Sequence, residues 1–290
     1  RGAVVVTSGL GTARFIRAYD VMIGGNGAPN GISTVTFPGA AGQLTTEPAC
    51  IDATGRGVVT HCYVLTSVGE LYRVPVLASG AFSAPQRIDP AGVVGANRKF
   101  QTRPVVFFGD NGAVNVAFGS GLATDFSPGS DTASNRFFTV VDPFNKSTGN
   151  PVGTLTGVCN YSNAIQNGII ELGDARVVSP PVISKGVIAF TTYSPGTSGC
   201  AAGAANLWAI DYARCSDAYD PQGQNAPVAH VLNEKGVPGS PLILRGPESI
   251  ITQTSQLSAT PREQVINLRT RGGDRVPFRK LYWRPRIQAQ

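Results

Sequence analysis

The sequence is poor in charge, in histidine and in long apolar runs, and each shortage excludes something. Only 14% of its 290 residues are Asp, Glu, Lys or Arg, against about 25% in ordinary soluble domains. His61 and His230 are its two histidines, and none of its five cysteines forms a CxxC pair. A zinc-type ligand set is therefore missing. No apolar stretch approaches about 18 residues, so no membrane span is expected. No amphipathic helix of ordinary length can be read anywhere. Paired acids do not appear at strand ends, so no catalytic residue and no cofactor site is assigned.

Turn chemistry is abundant instead. The chain holds 35 Gly and 21 Pro, and these punctuate short runs rich in β-branched and aromatic residues, as strands require. Val177 to Ala213 shows the grammar most clearly. Val182-Ile183 follows Pro180-Pro181, a tight Ser184-Lys185-Gly186 connection leads into Val187 to Tyr193, and Leu207 to Asp211 comes after a Ser/Gly/Ala loop.

The grammar repeats. A Pro-led strand opens successive units at Pro48, Pro104, Pro181 and Pro241. A middle strand follows at Val58 to Leu65, Val114 to Phe118, Val187 to Tyr193 and Ser249 to Gln253. An aromatic-bearing third strand closes most of them, at Glu70 to Val74, Arg136 to Asp142 and Asn206 to Asp211. One such sheet cannot bury both faces alone. Radial stacking buries them and leaves only short edges. The expected fold is thus all-β, a β-propeller with loop insertions. We read 1–290 as a single propeller domain with units near 1–24, 46–76, 102–142, 177–213 and 239–283, and an insertion at 143–175. The first unit looks cut in mid-blade, and a chain beginning at Arg1 without a signal-like segment reads as a processed product or a piece of something longer.

The cysteines leave alternatives open. Cys50 and Cys62 flank the turn Asp52 to Gly57 almost symmetrically and are placed to bridge across a hairpin. Cys200 and Cys215 bracket a strand and are a second candidate pair. Cys159 is then left over, or it takes Cys200 and leaves Cys215 single. Bridged cysteines imply an oxidising compartment, whereas five buried thiols would not.

Net charge is +6, with arginines gathered near the end (Arg262, Arg269, Arg271, Arg275, Arg279, Arg284 and Arg286). No nucleic-acid motif accompanies them, so they read as a solvated strand face and tail, with no nucleic acid as partner. Asp52 is the one acid in a turn where a calcium loop would sit, and Arg56 adds a positive charge beside it. Calcium wants several oxygens and usually more than one carboxylate, so the metal assignment stays at none, with Asp52 the weak candidate. Asp125 and Asp131 share a polar loop without an apolar pocket and read as solvated acids. Asn145-Lys146-Ser147 and Asn160-Tyr161-Ser162 match the glycan acceptor pattern.

Several segments, in order, resemble the C-terminal propeller of the type IV pilus tip adhesins, the PilC/PilY-like family. Phe118-Gly119-Ser120-Gly121 leading to Phe137 through Asp142 is similar to its FGTG-to-aromatic-strand segment. Ala175 to Val182 with Phe190-Thr191-Thr192 resembles RVxSxPV…FTT. Cys200 and Leu207 to Asp211 continue it, Ile32 through Asp52 and Gly69 to Arg73 resemble a degraded calcium-loop blade, and Arg275 to Leu281 resembles the terminal RVSWREL element. The resemblance implies a non-enzymatic scaffold or adhesin domain at a pilus tip of a Gram-negative bacterium, extracellular after export through the periplasm. It implies minor pilins as partners, an adhesive region preceding this one in the same precursor, and attachment to host or abiotic surfaces. The missing acids of the calcium loop set calcium control apart from that expectation. Two alternatives stand beside it. One is a quinoprotein-like propeller enzyme. The other is an extracellular glycan-binding module using loop aromatics such as Tyr161, Tyr193 and Tyr219.

Overall fold

The computed structural model describes residues 3–7, 15–20, 31–37, 42–88, 98–109, 112–127, 130–131, 134–145, 150, 152–153, 155–157, 168–184, 186–196, 203–218, 226–232, 237–244, 249–255 and 263–267. All regular structure among them is strand. The first sheet holds β1 (Ala3–Thr7), β2 (Phe15–Asp20) and β3 (Gly31–Thr36). The second runs β4 (Ala49–Ile51), β5 (His61–Leu65), β6 (Leu71–Pro75) and β7 (Gln86–Arg87). The third contains β8 (Val105–Phe108), β9 (Val114–Gly119), β10 (Asn135–Asp142), β11 (Thr156–Gly157) and β12 (Ile169–Gly173). In the fourth are β13 (Arg176–Val177), β14 (Val182–Ser184), β15 (Val187–Ser194), β16 (Ala204–Asp211), β17 (Ser216–Asp217) and β18 (His230–Val231). The fifth has β19 (Val237–Leu244), β20 (Ser249–Ser255) and β21 (Glu263–Asn267).

The third and fourth sheets reduce to four-stranded antiparallel blades like the second. β13 and β14 both pair with the same side of β15, at Thr192–Tyr193 and at Val187–Ala189. They are two halves of one inner strand, interrupted where Pro180 and Pro181 offer no N–H. Likewise β11 and β12 share the outer side of β10, and β17 and β18 that of β16. The stretch 143–175, expected as an insertion, therefore supplies the outer strand of the third blade. A second difference lies in the first sheet, where Gly31–Thr36 pairs with β2 and does not open the next unit. Val276 to Trp283, expected to close the last unit, lies outside the described residues.

Each blade packs on the next, and strand alternation explains how. In β5, Cys62 and Val64 face the first sheet with Ile16, Phe37 and Val74, while Tyr63 and Leu65 face the third with Val116, Phe118 and Phe138. In β15, Ile188 and Phe190 face back toward Phe137 of the third sheet, and Val187 and Ala189 face forward. A strand buried on both faces needs apolar residues at every position, hence the near-continuous runs. At the third seam Phe137 stacks on Phe190 at 3.7 Å, and Phe190 lies parallel to Trp208 at 5.8 Å. The indole N–H donates to Thr192 Oγ1 at 3.2 Å, giving the buried ring the polar partner it needs.

The first strands of successive blades touch, β4 on β8, β8 on β14 and β14 on β19. They line the common axis, so each is a sheet edge. That is why a proline can lead them: an edge strand tolerates a missing ladder donor and a central strand does not. The architecture is a β-propeller.

Candidate functional site

One pole of the propeller gathers the features that chemistry or binding would use. β4, β8 and β14 all end there, so the hairpins 52–60 and 109–113 and the turn at Gly186 ring the mouth of the axis. β6 and β10 end there too. Val58 is 56% exposed, Val59 41%, Phe108 45% and Val152 54%.

The hairpin 52–60 is built around the Asp52 carboxylate. Oδ1 accepts from the Thr54 amide at 3.0 Å and its hydroxyl at 2.9 Å; Oδ2 accepts from the amides of Gly57 at 2.5 Å and Val58 at 3.2 Å. Gly55 and Gly57 take φ of 70° and 77°, which a side chain rarely allows, and the chain curls so that its N–H groups point inward. Desolvation pushes the Asp52 pKa up, but the hydrogen bonds from Thr54, Gly57 and Val58 outweigh it and hold the carboxyl below its usual value. A carboxylate facing four donors is solvated as an anion by its own loop. A cation would have to face those same N–H dipoles, so the loop does not fit calcium. Val58 and Val59, expected to begin a strand, belong to this turn, and β5 starts at His61.

Behind the hairpin lies a buried polar cluster at the seam of the second and third blades. Asp142, at the end of β10, accepts from Arg73 Nη1 at 2.5 Å and from the Tyr63 hydroxyl at 2.7 Å. Arg73 also donates through Nε and Nη2 to Gln86 Oε1, at 3.1 and 2.9 Å. His61 stands beside them, its ring 4.5 Å from that of Phe144 and its Nδ1 3.0 Å from Thr60 Oγ1. Burial, then the positive charge of Arg73, drive the His61 pKa down to about 4. Burial and the Asp142 charge push the Tyr63 phenol up. The arrangement fixes two blades together. Its acid accepts from two internal donors.

The opposite end is held by Arg176, which is buried and reaches back across the third seam. Its guanidinium donates to the carbonyls of Leu122, Asp125 and Ser127 and to Ser130 Oγ. Asp125 and Asp131, read from the sequence as solvated loop acids, both accept from backbone amides. Asp125 accepts from the Ser127 amide at 2.9 Å, and Asp131 from the Leu122 amide at 3.0 Å. The Ser127 bonds hold the Asp125 carboxyl below its usual value. The loop is pinned and its acids are not poised for proton transfer.

Cys50 and Cys62 are bridged across β4 and β5, 12 residues apart in sequence. Cys215 is also disulfide-bonded, which overturns the alternative that leaves it single; Cys159 and Cys200 lie outside the described residues. Tyr193 packs against Phe126 at 5.1 Å and its hydroxyl accepts from the Gly203 amide at 3.2 Å. Tyr161 and Tyr219 lie outside the described residues, as does the Asn160 acceptor; Asn145 is described and exposed. The inner strands β4, β8, β14 and β19 carry no acidic or basic residue, whereas the inner half-strand β13 carries Arg176. No group of three His, Cys, Asp or Glu placed to hold a metal occurs among the described residues. No helix among them is long and apolar enough to cross a membrane.

No protein-family model matches the chain, and no curated protein matches it by sequence. Solved structures do. The C-terminal domain of PilY1 from Pseudomonas aeruginosa superposes on 92% of this chain and 69% of its own, with a TM-score of 0.59 and 11% identity. The Dos1 propeller covers 83% of this chain and 48% of its own at a TM-score of 0.47 and 10% identity. An α-L-arabinanase from Cellvibrio cellulosa covers 92% and 91% at 0.38 and 8%. The last two overlap too loosely to carry an argument, and at 11% identity the first speaks for the fold and nothing finer. Blade pairing and superposition agree on that fold: the chain is a β-propeller.

Proposed function

We propose that this chain is a non-enzymatic propeller domain of a type IV pilus tip protein, extracellular, supporting pilus assembly and surface attachment through contacts with minor pilins. The observation that carries the reading is the chemistry of the axis. Propeller enzymes work at the mouth of the central channel, and the inner strands shown to end there, β4, β8 and β14, carry no acid or base. Glycoside hydrolysis needs two carboxylates about the scissile bond, and quinone chemistry needs a cation and a carboxylate at the cofactor. What the mouth offers instead is apolar surface, at Val58, Val59 and Phe108, suited to holding another protein.

The order of the PilC/PilY-like segments supports the same reading, since they fall in sequence on the third and fourth blades: Phe118 to Asp142 on β9 and β10, then Ala175 to Thr192 on β13 to β15 and Leu207 to Asp211 on β16. The Cys50–Cys62 bridge fits an exported protein. The test is recovery of the protein in sheared pili and its co-purification with minor pilins. Val58→Asp with Phe108→Asp is expected to abolish that association while leaving the thermal transition in place. Absence from the pilus fraction, or release of reducing sugar from a glycan panel by the purified protein, would overturn the proposal.

A further inference from the structure

We propose that the Cys50–Cys62 bridge is a thiol-exchange site, which a dithiol opens by attack at Cys50 from the axis, and that its opening loosens the rim hairpin 52–60. The two cysteines stand directly opposite in the β4–β5 register, but their surroundings differ. Cys62 lies on a central strand, wholly buried with Ile16, Val64 and Val74. Cys50 is half-buried and sits on β4, which ends its sheet and lines the axis. A thiolate attacks one sulfur and expels the other, in line with the bond it breaks. Behind Cys62 along that line stands β6; behind Cys50 stands the axis.

The same asymmetry selects the reductant. The incoming thiolate bonds Cys50 Sγ as the bridge breaks, and the electron pair leaves on Cys62 Sγ. That thiolate is expelled into an apolar seam, where burial disfavours its charge, and it lies beside the mixed disulfide that it can attack in return. A monothiol is therefore thrown off. The second thiolate of a dithiol instead attacks the first sulfur, frees Cys50 and closes the reductant's own bridge. Two electrons and two protons pass from the dithiol to the pair, leaving two thiols.

What loosens follows from β4. It is three residues long, and Pro48 before it has no N–H to pair. Two thiols need more room than a bridged pair. Cys62 is enclosed, so β4 gives way toward the axis. Its far end carries the hairpin, joined by the Thr60 amide to the Ile51 carbonyl at 2.9 Å and by the Ala53 amide to Thr60 Oγ1 at 2.8 Å.

Dithiothreitol and glutathione at equal thiol concentration, applied to the folded full chain and followed by alkylation and peptide mapping, test the chemistry. Dithiothreitol is expected to open the bridge and glutathione to leave it closed. The thiol left in Cys62→Ala is expected to be alkylated roughly tenfold faster or more than the one left in Cys50→Ala. Hydrogen exchange on the reduced, unaltered chain tests the loosening and needs no variant. The Thr60 and Ala53 amides are expected to lose protection while those of β9 and β10 keep theirs. Dithiothreitol reduces the Cys215 bridge as well, so Cys50→Ala/Cys62→Ala is the control. It is expected to show the loosened pattern at Thr60 already and no further change there with dithiothreitol. The proposal is overturned by a bridge that opens only as the chain unfolds, by glutathione opening it equally, by Cys62 reacting as fast as Cys50, or by Thr60 protection unchanged on reduction.

Discussion

Asp142→Ala strips the seam of its one anion and leaves two buried groups behind. Arg73, its side chain 7% exposed, keeps only the carbonyl of Gln86, and the Tyr63 hydroxyl keeps nothing among the partners it now has. Removing one side of a buried ion pair costs about 3–5 kcal/mol. The two bonds to Gln86 remain, which places the expected loss at the lower end, about 3 kcal/mol. For a chain of this length that lowers Tm by about 6–10 °C. Calorimetry or urea unfolding of Asp142→Ala, Arg73→Met and the double variant measures it. The double variant is expected to regain a third or more of the loss, because the stranded charge has gone with its partner. Tyr63→Phe, which leaves the ion pair whole, is expected to cost about 1 kcal/mol. If Asp142→Ala matches the unaltered protein, or the double variant loses as much as the two single variants together, the seam is not held by this cluster.

Three further outcomes are expected. Replacing Cys50 and Cys62 by alanine opens a loop of 12 residues and is expected to cost about 3 kcal/mol, seen as a fall in urea midpoint smaller than the one dithiothreitol produces in the unaltered chain, where the Cys215 bridge is reduced as well. Arg176→Met is expected to free the loop 122–130, read as new proteolytic cleavage there at a temperature where the rest of the chain survives; an uncut loop would mean that its own turns suffice. Gly121→Ala places a Cβ 2.5 Å from that of Arg176, at φ of 143°. It is expected to destabilise by more than about 2 kcal/mol, by the same calorimetric measurement.

Much of the fold is legible in the sequence because each inner blade is covered on both faces. Runs such as Val187 to Tyr193 must then be apolar at every position, and turn residues must bound them. The Cys50–Cys62 spacing reads correctly for a similar reason, since a hairpin places symmetric residues opposite each other. What the sequence hides is whatever depends on distant partners. β11 is two residues long and is a strand only because Val140 and Val141 lie beside it. Val58-Val59 looks like a strand start, yet the Asp52 carboxylate gathers the amides around it into a turn. The seam cluster joins Tyr63 and Arg73 to Asp142 across 79 and 69 positions, and no local pattern announces it. Arg176 is one arginine among many until the structure shows it buried.

The prolines that lead the axial strands have a consequence for recognition. Pro48, Pro104 and Pro181 each withhold an amide hydrogen where the sheets leave an edge open toward the centre. An incoming extended peptide annexed by backbone pairing would find gaps at those rungs. The bore thus discourages threading by a foreign strand, and a partner has to be held by side chains at the rim.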